Sequence, residues 1–195
     1  MTGRRTSLPR LAILALPLLC VAAAPDAAER RARTPASQPA ADSPPRMQRL
    51  EHAEPGEWAV YRMLQGAQRV RLINTTRLLA EFEVLPILNG QPLGLPAVRT
   101  SPLTADYALD LAADEGATVE FGSETVDAAG RAWTCRRTVA RRQVGAVTLE
   151  RRIWMSADAP LEGLVRMELR ADGRLTARLE LLAFGFPAPQ TQAEP

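Results

Sequence analysis

The sequence predicts a mainly β domain of the α+β class, with about eight antiparallel strands and one helix. Three observations carry this reading. Val165, Met167 and Leu169 alternate with Arg166, Glu168 and Arg170, and a second run of Leu175, Ala177, Leu179, Leu181 and Ala183 follows Asp172-Gly173. A period of two puts the apolar side chains on one face and the charges on the other, and Asp-Gly is a strong two-residue hairpin signal. The same alternation occurs upstream, where Val70 and Leu72 oppose Arg69 and Arg71, and Leu78, Ala80, Phe82 and Val84 oppose Arg77, Leu79, Glu81 and Glu83. The third observation is the long interval between these strand runs, which carries helix punctuation.

Taken in order, residues 58–63 form a first strand. Asn74-Thr75-Thr76 separates the next two runs and suits a turn, although it is also a glycosylation sequon. Ser101 is placed as helix N-cap, Pro102 as the first helical residue and Gly116 as the stop. Leu103, Tyr107 and Leu111 then share a helix face, while Asp114 and Glu115 oppose the dipole at the C-terminal end. Residues 119–126 and 131–139 form a pair joined through Asp127-Ala128-Ala129-Gly130, and residues 144–155 add a further strand before the last hairpin.

The domain plan has four parts. Arg4, Arg5 and Arg10 precede an apolar run from Leu11 to Ala24, so residues 1–23 are expected to be a signal peptide. That run is shorter than the ~20 residues of a membrane span, so no transmembrane span is expected in the mature chain. Residues 24–46 are rich in Ala, Pro and charge, without aromatic or branched apolar residues, and suit a disordered linker. Residues 47–186 form the domain, and residues 187–195 a disordered tail.

The leader alters the charge argument. The formal net charge is +2; removing residues 1–23 takes away three Arg and no acid, giving −1. The basic character therefore belongs to the leader, and nucleic acid is not expected as a partner. Every basic residue is Arg, none Lys, and Ala is abundant, as in proteins of GC-rich bacterial genomes. The expected location is periplasmic or extracellular. Cys20 lies in the leader; a lipid anchor there is the lesser option, because Leu19 occupies the position where a lipobox wants a small residue. Loss of Cys20 leaves Cys135 without a partner in its own chain, and Cys135 suits a small buried side chain in a strand.

Reactive chemistry is sparse. His52 is the only His, and it lies near the linker, as a solvated residue would. One His and one usable Cys exclude ordinary zinc sites and Ser-His or Cys-His dyads. Glu81 and Glu83 share a strand face with Arg77, as on a wet sheet surface. No catalytic residue, metal ligand or cofactor is assigned, and a non-enzymatic protein is expected.

Two charge blocks stand out. Asp106, Asp110, Asp114, Glu115, Glu120, Glu124 and Asp127 fall in a stretch without Arg. Arg131, Arg136, Arg137, Arg141, Arg142, Arg151 and Arg152 follow, with only Glu150 among them. Acidic and basic strands pairing across the sheet account for both blocks. The alternative is an interaction patch of Arg136, Arg137, Arg141, Arg142, Arg151 and Arg152 on the hairpin 131–152, docking phosphate, lipid headgroups or an acidic envelope protein partner.

A resemblance spans most of residues 55–170. It rests on Pro55-Gly56-Glu57-Trp58-Ala59-Val60-Tyr61, Gly122-Ser123-Glu124-Thr125-Val126, Gly130-Arg131, Trp133-Thr134-Cys135, Trp154-Met155-Ser156, Pro160 and Gly163-Leu164-Val165-Arg166-Met167-Glu168. These strand-and-turn patterns are similar to those of uncharacterised exported bacterial proteins that resemble the LolA-like lipoprotein-carrier superfamily. The resemblance implies a curved antiparallel sheet forming an incomplete barrel, with the helix packed in or across its concave face. It implies a lipid or lipoprotein acyl chain as candidate ligand. The concave-face candidates are Val70, Leu72, Phe82, Val84, Val165, Met167, Leu179 and Leu181, which would otherwise form a dry core. An integral outer-membrane barrel is disfavoured, since three Trp, two Tyr and four Phe are too few for two aromatic girdles.

Overall fold

The computed structural model describes residues 49–106 and 116–187. A 3-10 turn, Arg49–His52, leads into ten antiparallel strands. They are β1 (Trp58–Arg62), β2 (Ala67–Thr75), β3 (Leu79–Leu88), β4 (Gln91–Pro92), β5 (Ala97–Pro102), β6 (Thr118–Ala128), β7 (Arg131–Val144), β8 (Val147–Met155), β9 (Leu164–Ala171) and β10 (Arg174–Gly185). All belong to one sheet in the order β4-β3-β2-β1-β10-β9-β8-β7-β6, with β5 also on the outer edge of β3. The sheet is not closed among the described residues: β6 forms one edge, and β4 and β5 the other.

Local chemistry explains the hairpins. Asp172 (φ 49°) and Gly173 (φ 78°) both take the left-handed conformation that a tight two-residue turn demands. Gly66 closes the β1–β2 turn at φ 79°, and a Cβ there would lie 2.3 Å from the Ile87 carbonyl oxygen. That close approach brings the β1–β2 turn against the far end of β3.

The strand pattern departs from expectation in three places. Asn74 and Thr75 end β2, opposite Glu81 and Ala80; the chain turns after them, where the Leu79 N–H donates to Thr76 Oγ1 at 3.1 Å. Two short strands, β4 and β5, were not expected. The expected helix does not start at Ser101-Pro102, because both residues lie in β5, with Ser101 opposite Ala80 and Pro102 opposite Leu79. Leu103 and Thr104 form a turn. No α-helix occurs among the described residues; Tyr107, Leu111, Asp110, Asp114 and Glu115 lie outside them. Pro at the end of an edge strand loses no ladder bond, so the residue pair that suits a helix start suits this position equally.

The main core draws on β1, β2, β3 and β10 and on Val126, Trp133, Cys135, Trp154 and Val165 of β6–β9, and Ile153 and Met155 of β8 form a second, smaller cluster. Ala59, Leu72, Ala80, Phe82, Val165 and Leu181 are wholly buried. The sheet bends. Trp133 on β7 meets Phe184 on β10 edge-on, with ring centroids 5.5 Å apart. In a flat sheet with ~4.8 Å between strands, β7 and β10 would stand about 14 Å apart.

A buried ionic clamp ties the start of the domain to the β8–β9 connection. Arg49 Nη2 donates to both Glu57 carboxylate oxygens, at 3.2 and 3.1 Å, and Arg49 Nε donates to the Ala159 carbonyl at 3.2 Å. The N–H groups of Glu54 and Leu161 also donate to Glu57, each at 3.2 Å. Glu57 is only 2% exposed; with four hydrogen bonds from three donor groups it meets the condition under which a buried carboxylate is tolerated.

Candidate ligand face and arginine ladder

Strand register places all eight concave-face candidates on one side of the sheet. Val70 pairs with Val84 and Leu72 with Phe82. Tyr61 pairs with Val70's neighbour Gln68 on one side and with Leu181 on the other. Leu179 pairs with Met167, and Val165 lies two residues along the same strand. This apolar face divides in two. Val70, Leu72, Phe82, Val84, Val165 and Leu181 are buried in the core, whereas Met167 and Leu179 are partly buried, Leu179 packed against that core and Met167 against a second cluster of Ile153 and Met155.

Further along the same side of the sheet lies a groove of about 120 Å³. Ala117, Ala140, Val144, Leu149 and Leu169 line it together with Arg142 and Arg151. The pairings Ala140–Arg151–Leu169 and Arg142–Leu149 put these residues on the same side as Met167. An apolar lining with guanidinium groups beside it matches an amphiphile bearing a negative head. At about 120 Å³ the groove is smaller than a typical small-molecule pocket of ~300–1,000 Å³. Sequence alternation had marked Leu169 as apolar, but Leu149 and Ala140 join it only through the β7–β8–β9 register.

The opposite face carries a charged ladder in three rungs: Arg141–Glu150–Arg170, Arg152–Glu168–Arg178 and Trp154–Arg166–Glu180. Side chains bridge within and between rungs. Arg141 Nε donates to Glu150 at 2.7 Å and Arg152 Nε to the same carboxylate at 2.6 Å. Arg141 also pairs with Glu120, Arg170 with Glu168, and both Arg166 and Arg178 with Glu180. Burial works against ionisation of Glu150, but the hydrogen bonds from Arg141 and Arg152 outweigh it and hold the carboxyl below the usual range. Arg141 is held above the ordinary arginine value by its hydrogen bonds to Glu150 and Glu120.

The six arginines of hairpin 131–152 therefore do not form one patch. Arg137, Arg141 and Arg152 lie on the ladder face, and Arg136, Arg142 and Arg151 on the apolar face. Arg137 pairs with Glu124 at 3.6 Å. Arg136 reaches the fully buried Asp106 at 2.6 Å. Acidic and basic strands thus meet across β6, β7 and β8. Arg142 is exposed and forms no ion pair among the described residues.

Cys135 is a free, buried thiol, 1% exposed. Burial, reinforced by Glu124 and opposed by Arg166, pushes it up to about 11. A thiol in that state is a poor nucleophile at neutral pH. His52 is exposed. Among the described residues no three His, Cys, Asp or Glu are grouped as a metal site, and no helix is long and apolar enough to cross a membrane. Cys20 lies outside the described residues.

No family model, curated protein or solved structure matches this chain.

Proposed function

We propose that the protein is an exported, non-enzymatic binder of a lipid or acyl chain, working as a half-barrel whose apolar side receives the chain. The observation that carries this is the division of the apolar face: one part is packed shut, and further along the same side lies a groove lined in part by Arg142 and Arg151. A face used only for packing has no need of an open groove, whereas a carrier needs one that a chain can enter. The resemblance to the LolA-like superfamily points the same way.

The test is titration with a dansyl-labelled long-chain fatty acid, alongside native mass spectrometry of protein purified from an exporting bacterium. Saturable binding is expected, and Leu169→Glu should weaken it at least tenfold, because it places a carboxylate in the groove lining. Protein that is uniformly ligand-free and ignores the probe, or a Leu169→Glu variant that binds as well as the parent, overturns the proposal.

A further inference from the structure

Two turns meet at one corner of the sheet. The β1–β2 turn, residues 63–66, lies against the end of β3 through the close approach of Gly66 to Ile87. The β3–β4 turn and the link into β5 follow directly, with the Leu93 N–H donating to the Pro86 carbonyl at 2.8 Å. Neither segment has a charge: residues 63–66 are Met-Leu-Gln-Gly, and residues 84–98 run Val-Leu-Pro-Ile-Leu-Asn-Gly-Gln-Pro-Leu-Gly-Leu-Pro-Ala-Val. Both segments nevertheless hold large side chains out to water. Leu64 is 52% exposed, Leu88 43%, Leu93 59%, Leu95 91% and Val98 67%. Exposed apolar residues clustered on uncharged turns are unlike the scattered single leucines that any surface carries.

The border of this corner is cationic. Arg62, exposed at the end of β1, forms no ion pair among the described residues. Arg69 and Arg71 share the single carboxylate of Glu83, at 3.6 and 3.2 Å. The charges next to the leucines therefore sum to positive, since Arg99 is matched by Glu162 at 2.7 Å.

We infer that this corner docks the protein on an anionic lipid bilayer, with Leu64, Leu93 and Leu95 entering the interface and Arg62 and Arg69 facing the headgroups. An uncharged, leucine-bearing tip with a positive collar is complementary to such a surface in both hydrophobicity and charge. A second protein copy would match the leucines but would bring the same positive collar against itself. The inference does not depend on acyl-chain binding in the groove, which lies on β7–β9.

The test uses the full chain with Cys20→Ser, Leu95→Cys carrying an environment-sensitive NBD label, and a control with the label at Arg174→Cys at the start of β10. Buried Cys135 stays unlabelled. Vesicles of phosphatidylethanolamine and phosphatidylglycerol should blue-shift and brighten the label at 95 and leave the label at 174 unchanged. Leu64→Glu with Leu93→Glu should lower the apparent partition at position 95 at least tenfold, each substitution removing the insertion of one leucine. Arg62→Glu should weaken the response to these vesicles but not to pure phosphatidylcholine. No shift at 95, or equal shifts at 95 and 174, overturns the inference. So does a protein-concentration-dependent shift without vesicles, which would assign the corner to a second copy. Because this readout is spatially separate from the fatty-acid titration, either proposal can fail alone.

Discussion

Replacing Glu57 with Ala tests the ionic clamp most directly. The carboxylate accepts from Arg49 and from the N–H groups of Glu54 and Leu161, within a buried setting. Its removal leaves the Arg49 guanidinium, whose side chain is 15% exposed, without its counter-charge. The Leu161 N–H, also buried, loses its acceptor. Breaking a buried pair by removing one partner costs ~3–5 kcal/mol, and an orphaned buried donor ~1–3. These overlap and the site relaxes, so the expected loss is ~3 kcal/mol. For a domain of this size that is about 10 °C in melting temperature. Urea unfolding followed by tryptophan fluorescence measures it. Arg49→Met with Glu57→Met removes both charges, and this double variant should recover part of the loss because no charge is left stranded. A Glu57→Ala loss below ~1 kcal/mol would refute the reasoning, since it would mean that water reaches Arg49 freely.

Further expectations follow from single sites. Gly66→Ala sets a methyl group against the Ile87 carbonyl at positive φ; it should lower the urea midpoint by an amount worth ~2 kcal/mol or more. Phe82→Ala, at a wholly buried site, should cost ~3–5 kcal/mol by the same assay. Cys135 should resist a thiol reagent at pH 8 until the protein is unfolded. Because its folded value is raised from 9.0 to about 11, its contribution to stability is intact below pH 9. That contribution declines as pH rises towards 11, where the unfolded chain alone releases the proton; a Cys135→Ala variant should lack this decline. Glu150 has the opposite sign: its lowered value means that its stabilisation is present above the ordinary carboxylate range and is lost on acidification through it. Glu150→Gln should flatten the acid limb of the stability curve.

The parts of the fold legible in the sequence were those set by neighbours in the chain. Asp172-Gly173 specifies its own turn, and alternation then fixes which of Leu179 and Arg178 faces the core. The eight face candidates share a side for the same reason. Features that depend on distant partners were not legible. β5 is a strand because it borrows the edge of β3, and its Ala-Val-Arg-Thr-Ser-Pro sequence has no period of its own. The groove needed the joint register of β7, β8 and β9. The charge blocks announced complementary pairing, but not that the arginines would divide between faces. Glu57 gave no signal: an acid in a Pro-Gly-Glu turn resembles any solvated turn residue until Leu161 and Arg49 are brought to it.

The central pairing of β1 with β10 has a consequence for when the protein can fold. The first and last strands of the sheet are neighbours, Trp58 lying opposite Gly185. The hairpins on either side are local and close quickly, but they are joined through a contact that spans nearly the whole domain. Such a topology has high contact order, and its nucleus waits on a large loop closure. No emerging chain can complete the sheet before its final strand has left the ribosome.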